Sequence, residues 1–230
     1  MLLARGRGGE EEEEEEDEEE GEKEEEEEDE EEDAGEPLAG LETGIEPFPW
    51  KDRLRIAVGS LEGLAAIHKE EFIHRDFKAA NVLLTKNLVP KVADFGLAKS
   101  CQDQTHITTR VAGSRGYIDP AYFETGLLTD HCDTFAFGIF LLELISGCCV
   151  HEQPFSELHS LASKPDFTDY ARVVDKTLEG QWTEEEVSVL LSVMQDAILT
   201  EWKRRPSSEE LLERLKKLVT DEVSVVSEEE

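Results

Sequence analysis

Between Glu10 and Glu46 the chain is dominated by glutamate and aspartate, broken by Lys23, Pro37 and a few small or apolar residues, and this run decides where a packed core can lie. The first 50 residues carry 25 acidic and 3 basic side chains, two thirds of the net charge of −33. Like charges at this density repel one another and offer little apolar surface to bury. Residues 1–46 are therefore expected to form a disordered, acidic, low-complexity segment. The core must come from residues 50–218, an ordinary size for one domain, with residues 219–230 as an acidic tail. The same charge argues against nucleic acid as a partner, because phosphates would be repelled.

Within residues 50–218 the apolar periodicity is mostly helical. From Lys51 to Glu70, Leu54, Ala57, Val58, Leu61, Leu64, Ala65 and His68 recur at the three-and-four spacing of one helix face. Asp130 to Cys148 reads as a long apolar helix, and further helical patterns fall at Asp169–Leu178, Thr183–Leu199 and Ser207–Leu218. Phe72-Ile73, Val82-Leu83-Leu84 and Lys91-Val92-Ala93 read as short extended segments, with a turn at Lys86-Asn87. Residues 100–116 are polar and read as a mobile loop, after which Asp119-Pro120 opens a short helical turn. The expected fold class is mainly α (α+β), with one small β hairpin. Four cysteines without metal-ligand spacing, no secretory leader and no apolar stretch long enough to span a bilayer point to reduced thiols in a cytoplasmic protein.

Chemistry concentrates in His74-Arg75-Asp76-Phe77-Lys78-Ala79-Ala80-Asn81, followed thirteen residues later by Asp94-Phe95-Gly96. Each motif is flanked by apolar runs. Phosphoryl transfer needs a carboxylate beside the incoming hydroxyl, cations on the phosphates, and hard oxygens to hold those cations. Asp76 suits the first task, and Asn81 with Asp94 suits the last.

These motifs, in this order and spacing, resemble the C-terminal lobe of a Ser/Thr protein kinase over about three quarters of the chain. The nearest likeness is to plant receptor-like and receptor-like cytoplasmic kinases. It is carried also by Thr109-Arg110-Val111-Ala112-Gly113-Ser114-Arg115-Gly116-Tyr117-Ile118-Asp119-Pro120, by Asp133 with Phe137-Gly138, by Leu141-Leu142-Glu143-Leu144, and by Arg205-Pro206-Ser207. The resemblance implies ATP and Mg2+ as cofactors and a protein Ser/Thr hydroxyl as acceptor. It implies Asp76, Lys78 and Asn81 as catalytic residues, Lys78, Asn81 and Asp94 toward the nucleotide, and Asn81 and Asp94 as magnesium ligands. His74 and Phe95 would be packing elements, and Asp133 would brace the His74–Asp76 turn. Arg75 would pair with a phosphate on the activation loop, for which Thr108 and Thr109 are the leading acceptors. Partners would be a protein substrate or signalling protein, with indirect association with plasma-membrane receptors.

Two departures from the family stand out. No glycine-rich phosphate loop and no Val-Ala-Ile-Lys-like strand precedes His74, so the N-terminal lobe is expected to be missing and the chain to be truncated and impaired. The alternative is a catalytically inactive, kinase-like binding or regulatory module. The second departure is Asp119-Pro120-Ala121, where the family's Ala-Pro-Glu-like triplet has glutamate last. Arg205 is therefore expected to be a buried charge without its partner.

Overall fold

The computed structural model describes residues 36–37, 47–101, 107–152, 155–164 and 166–225, all within the compact unit Asp33–Glu230. In chain order the elements are β1 (Glu36–Pro37), α1 (Trp50–Lys69), β2 (Phe72–Ile73), β3 (Val82–Leu84), β4 (Pro90–Val92), β5 (Lys99–Ser100) and β6 (Ile107–Thr108). They continue with α2 (Pro120–Thr125), β7 (Leu127–Leu128), α3 (His131–Ser146), α4 (Phe155–Ala162), α5 (Glu184–Ala197) and α6 (Ser208–Val225). The mainly helical reading holds, and the hairpin follows the His74–Asn81 segment as expected.

Helix α3 is the centre of the fold. It is apolar on all sides, and every residue from Cys132 to Ser146 is buried, as a helix must be when no face is left for water. Helix α5 packs along it and α6 packs along α1. Gly138 allows the α3–α5 approach: a Cβ there would lie 2.7 Å from Ile198 Cγ2 and 2.9 Å from Ala197 Cβ. Arg53, although buried, ties α1 to the end of α3 by donating to Leu144 O at 2.8 Å and to Asp175 Oδ2 at 2.6 Å. Thr183 and Glu186 form a reciprocal capping box at the start of α5.

Four sequence expectations change. Glu36–Pro37 lies inside the span assigned to disorder, yet it pairs antiparallel with β3, Glu36 opposite Leu84 and Pro37 opposite Leu83. The rest of residues 1–46 lies outside the described residues. The segment read as a loop over 100–116 contains β6, which pairs with β7. The helix expected at Asp169–Leu178 is two single 3-10 turns, Tyr170–Arg172 and Lys176–Leu178. Asp175 interrupts it, because its N–H donates to Ile145 O at 3.0 Å while its carboxylate takes Arg53 and caps the second turn. Finally, α6 runs to Val225, seven residues beyond the expected end and into the assigned tail. Helix α4 had no sequence signal strong enough to be read.

Candidate active site

Phe77 fastens the segment that precedes β3. Its ring is 1% exposed and meets Phe140 edge-on at 5.5 Å and Phe137 at 6.0 Å, both on α3. An apolar anchor between two chemistry-bearing residues fixes where Asp76 and Lys78 emerge.

The turn before Asp76 is strained and braced. Arg75 has φ 71° and Asp94 has φ 63°, a left-handed conformation that costs of order 1–3 kcal/mol in a residue with a Cβ. Asp133, 1% exposed on α3, holds the first of these. Its Oδ2 accepts from His74 N–H at 2.6 Å and its Oδ1 from Arg75 N–H at 2.8 Å. His68, on α1, donates Nε2–H to the same Oδ2 at 3.1 Å. In the sequence His68 is only one position of a helix face.

Asp76 is the hub of a polar cluster. Oδ2 accepts from Lys78 Nζ at 2.8 Å, Oδ1 accepts from Ser114 N–H at 2.7 Å, and Lys78 Nζ also donates to Ser114 Oγ at 2.7 Å. Asn81 Nδ2 donates to the Asp76 carbonyl at 2.8 Å. Burial alone would raise the Asp76 carboxyl, but the hydrogen bonds from Lys78 and Ser114 together outweigh it and hold the group below its ordinary value. Asp76 is thus an anion with a defined orientation. Gly113 permits the contact: its φ is 132°, and a Cβ there would fall 2.7 Å from Arg75 O.

Strand register brings Asn81 and Asp94 to the same end of the hairpin. Val82 pairs with Val92, and one step further Ala93 N–H donates to Asn81 O at 2.8 Å. His74 locks this junction. Its Nδ1 accepts from Asp76 N–H at 3.3 Å, so Nε2 carries the proton and donates to Ala93 O at 2.9 Å. Asn81 is buried, whereas Asp94 is exposed and its Oδ1 accepts from Gly96 N–H at 3.3 Å. Phe95 lies 5.1 Å from the His74 ring but is 51% exposed, so it covers His74 on one side and faces outward on the other.

The Arg75 guanidinium reaches across to the stretch between Leu97 and Tyr122. It donates to Leu97 O at 3.0 Å, to Arg110 O at 3.2 Å and to the Tyr122 hydroxyl at 3.2 Å, and its buried Nε has no partner. Thr108 and Thr109 immediately precede Arg110; Thr108 is exposed and Thr109 half-buried. Arg205 is not orphaned. Asp119 takes it with both carboxylate oxygens, at 2.6 and 2.8 Å, which corrects the expectation that the loss of glutamate at Ala121 leaves the charge unpaired.

A groove of about 620 Å³ opens beside the cluster, with Lys78, Ser114, Tyr117, Glu143, Cys149 and Val150 in its wall. Glu143 accepts from the Tyr117 hydroxyl and from Val150 N–H at 2.5 Å. Burial pushes its carboxyl up, only partly offset by those bonds. Among the described residues no three His, Cys, Asp or Glu side chains gather as a metal site, and no helix is long and apolar enough to cross a membrane.

Comparison with known sequences follows the same lines. The family described as "Protein kinase domain" matches residues 33–215, beginning inside the span assigned to the acidic segment. The chain is 36% identical over 190 residues to "Probable serine/threonine-protein kinase PBL18" of Arabidopsis thaliana, covering 77% of this chain and 48% of that protein. It is 38% identical over 177 residues to the "EPD1-interacting receptor-like cytoplasmic serine/threonine-protein kinase" of Nicotiana benthamiana, covering 73% and 38%. It is 39% identical over 178 residues to "Proline-rich receptor-like protein kinase PERK7" of Arabidopsis thaliana, covering 72% and 26%. The chain spans about half or less of the length of the curated relatives it matches.

Proposed function

The chain belongs to the protein kinase family, and on that premise we propose that it carries the catalytic half of phosphoryl transfer from ATP to a Ser or Thr hydroxyl of a protein. The observation that supports this most directly is the Asp76–Lys78–Ser114 cluster, with Asn81 bonded to the Asp76 backbone.

Asp76 orients the acceptor hydroxyl and receives its proton late, since bond breaking leads in a loose transition state and a strong base is not required. Lys78, held between Asp76 and Ser114, points a cation at the position of the moving phosphoryl group. The amide oxygen of Asn81 and the carboxylate of Asp94 are hard donors suited to Mg2+, with the remaining ligand positions left to phosphate and water. Magnesium, when bound, neutralises charge on the phosphates. Arg75 is the hydrogen-bond donor and cation that pairs with an activation-loop phosphate on Thr108 or Thr109: its guanidinium now satisfies backbone carbonyls and keeps one nitrogen unpartnered. The protein substrate and signalling partners are taken to be cytoplasmic. The net charge of −33 makes nucleic acid a poor partner.

One observation favours an impaired enzyme or an inactive binding module instead. Asp94 and Phe95 are exposed on the face where nucleotide would lie, so little there excludes water or fixes the phosphates, and positioning supplies most of the rate in this chemistry. Phosphate incorporation from radiolabelled ATP with magnesium, measured on the purified full chain and a generic protein substrate, separates the readings. Slow incorporation that disappears in Asp76→Asn supports the kinase reading. Incorporation that survives Asp76→Asn overturns the role given to Asp76, and its complete absence in the natural chain leaves the binding module.

A further inference from the structure

Behind the active-site turn a relay links three helices: Asp133 on α3, His68 on α1 and Ser208 on α6. Asp133 on α3 receives the backbone N–H groups of His74 and Arg75 and the Nε2–H of His68 at the end of α1. A carboxylate only accepts, so in the neutral ring the proton is on Nε2 and Nδ1 is an acceptor. Ser208 Oγ, at the start of α6, lies 2.8 Å from that Nδ1 and is its donor. Ser208 is 2% exposed.

Its neighbour Ser207 does a different job. Ser207 Oγ accepts from Glu210 N–H at 3.2 Å, and Ser207 N–H donates to Glu210 Oε2 at 2.8 Å, a reciprocal cap of α6. Adjacent serines are thus divided between capping the start of α6 and holding the imidazole.

We propose that Ser208 is a positioning residue of the active site: its hydroxyl donates to Nδ1 and fixes the ring plane of His68, whose tautomer Asp133 sets, so that Nε2–H is presented to Asp133 and steadies the left-handed turn from which Asp76 projects. The physical reason is the asymmetry of imidazole. The other neutral tautomer would turn a nitrogen lone pair toward the Asp133 carboxylate, which repels it; the Ser208 hydroxyl then donates to the free Nδ1 and holds the ring in the plane that keeps Nε2–H on Asp133. Asp133 would otherwise hold the strained Arg75 turn with one contact fewer. The consequence for catalysis rests on the role given to Asp76; the positioning itself does not.

The test uses the full chain labelled with 15N, read by long-range ring correlations of His68 and by the amide resonances of His74 and Arg75. The natural chain is expected to show His68 with the proton on Nε2. Ser208→Ala shifts the His68 ring nitrogens and both amides, while Ser208→Thr, which keeps the hydroxyl, restores them. Ser207→Ala lowers the melting temperature by about a few degrees through the lost cap and leaves the His68 ring signals in place. Unchanged His68, His74 and Arg75 signals in Ser208→Ala overturn the proposal. So does a natural chain whose neutral His68 carries its proton on Nδ1, a result that needs no variant to fold. An inactive chain with the expected spectra counts against the kinase reading alone.

Discussion

Arg205 and Asp119, 86 residues apart, form a two-pronged ion pair with side-chain exposures of 0% and 1%. The guanidinium is satisfied on its other sides as well. It donates to Leu199 O at 2.6 Å and His131 O at 3.0 Å, and it lies 5.2 Å over the Phe135 ring. Asp119 also caps α2 by accepting from Ala121 N–H at 2.9 Å. The pair therefore ties the start of α2, through Asp119, to the start of α3 and the chain before α6, through Arg205.

Removing one partner of this pair leaves a buried charge. Asp119→Ala is expected to lower stability by about 3–5 kcal/mol in urea unfolding. Asp169→Ala, which removes the exposed partner of Arg172 at 4.0 Å, should cost under about 0.5 kcal/mol. Similar losses from the two substitutions would show that the buried geometry carries no special weight.

At Gly138 two effects compete. Alanine in a helix interior is favoured over glycine by about 1 kcal/mol, but here the new methyl would meet Ala197 Cβ at 2.9 Å and Ile198 Cγ2 at 2.7 Å. Overpacking of this kind costs about 1–3 kcal/mol, so Gly138→Ala should be net destabilising. A raised urea midpoint would contradict the close α3–α5 approach.

The pH dependence of stability should have two limbs. Asp76 and Asp175 are both held below the ordinary value of 3.8, burial opposing the shift and hydrogen bonds overcoming it. Their contribution is complete above about pH 4 and is lost as pH falls through the lowered folded-state values. Glu143 is raised above 4.5 by burial. Its contribution is complete below that value and is lost as pH rises through the raised one. Asp175→Asn should therefore flatten the acid limb and Glu143→Gln the limb above pH 4.5, both read from unfolding free energies between pH 2 and 8.

Ser114→Ala removes the hydroxyl that shares Lys78 with Asp76 but keeps the backbone N–H on Asp76 Oδ1. The Asp76 carboxyl is expected to move upward, toward its ordinary value, in a carboxyl-carbon titration, with a stability loss of about 0.5–1.5 kcal/mol. A lower value in the variant would mean that Ser114 competes for Lys78 rather than supporting the pair.

Local signals made much of this molecule legible. The three-and-four spacing from Leu54 to Ala65 gave α1, and the helical patterns at Thr183–Leu199 and Ser207–Leu218 gave α5 and most of α6, because amphipathicity is written within a few adjacent residues. The same holds for Asp76, Lys78 and Asn81, whose spacing places them on one short segment. Asp175 shows the limit: its surroundings read as helical until a partner on α1 and the end of α3 pull the chain away.

What the amino-acid order determined by itself was the chemistry: which segment bears the carboxylate, lysine and asparagine, and which stretches are apolar enough to be core. What only the tertiary structure decided was who partners whom. Asp119 rather than position 121 takes Arg205, Ser208 reaches His68 from 140 residues away, and Glu36–Pro37 leaves the acidic run to edge β3. Hydrogen bonds and ion pairs depend on distances of about 3 Å, and between residues far apart in the chain those distances exist only once the helices have packed.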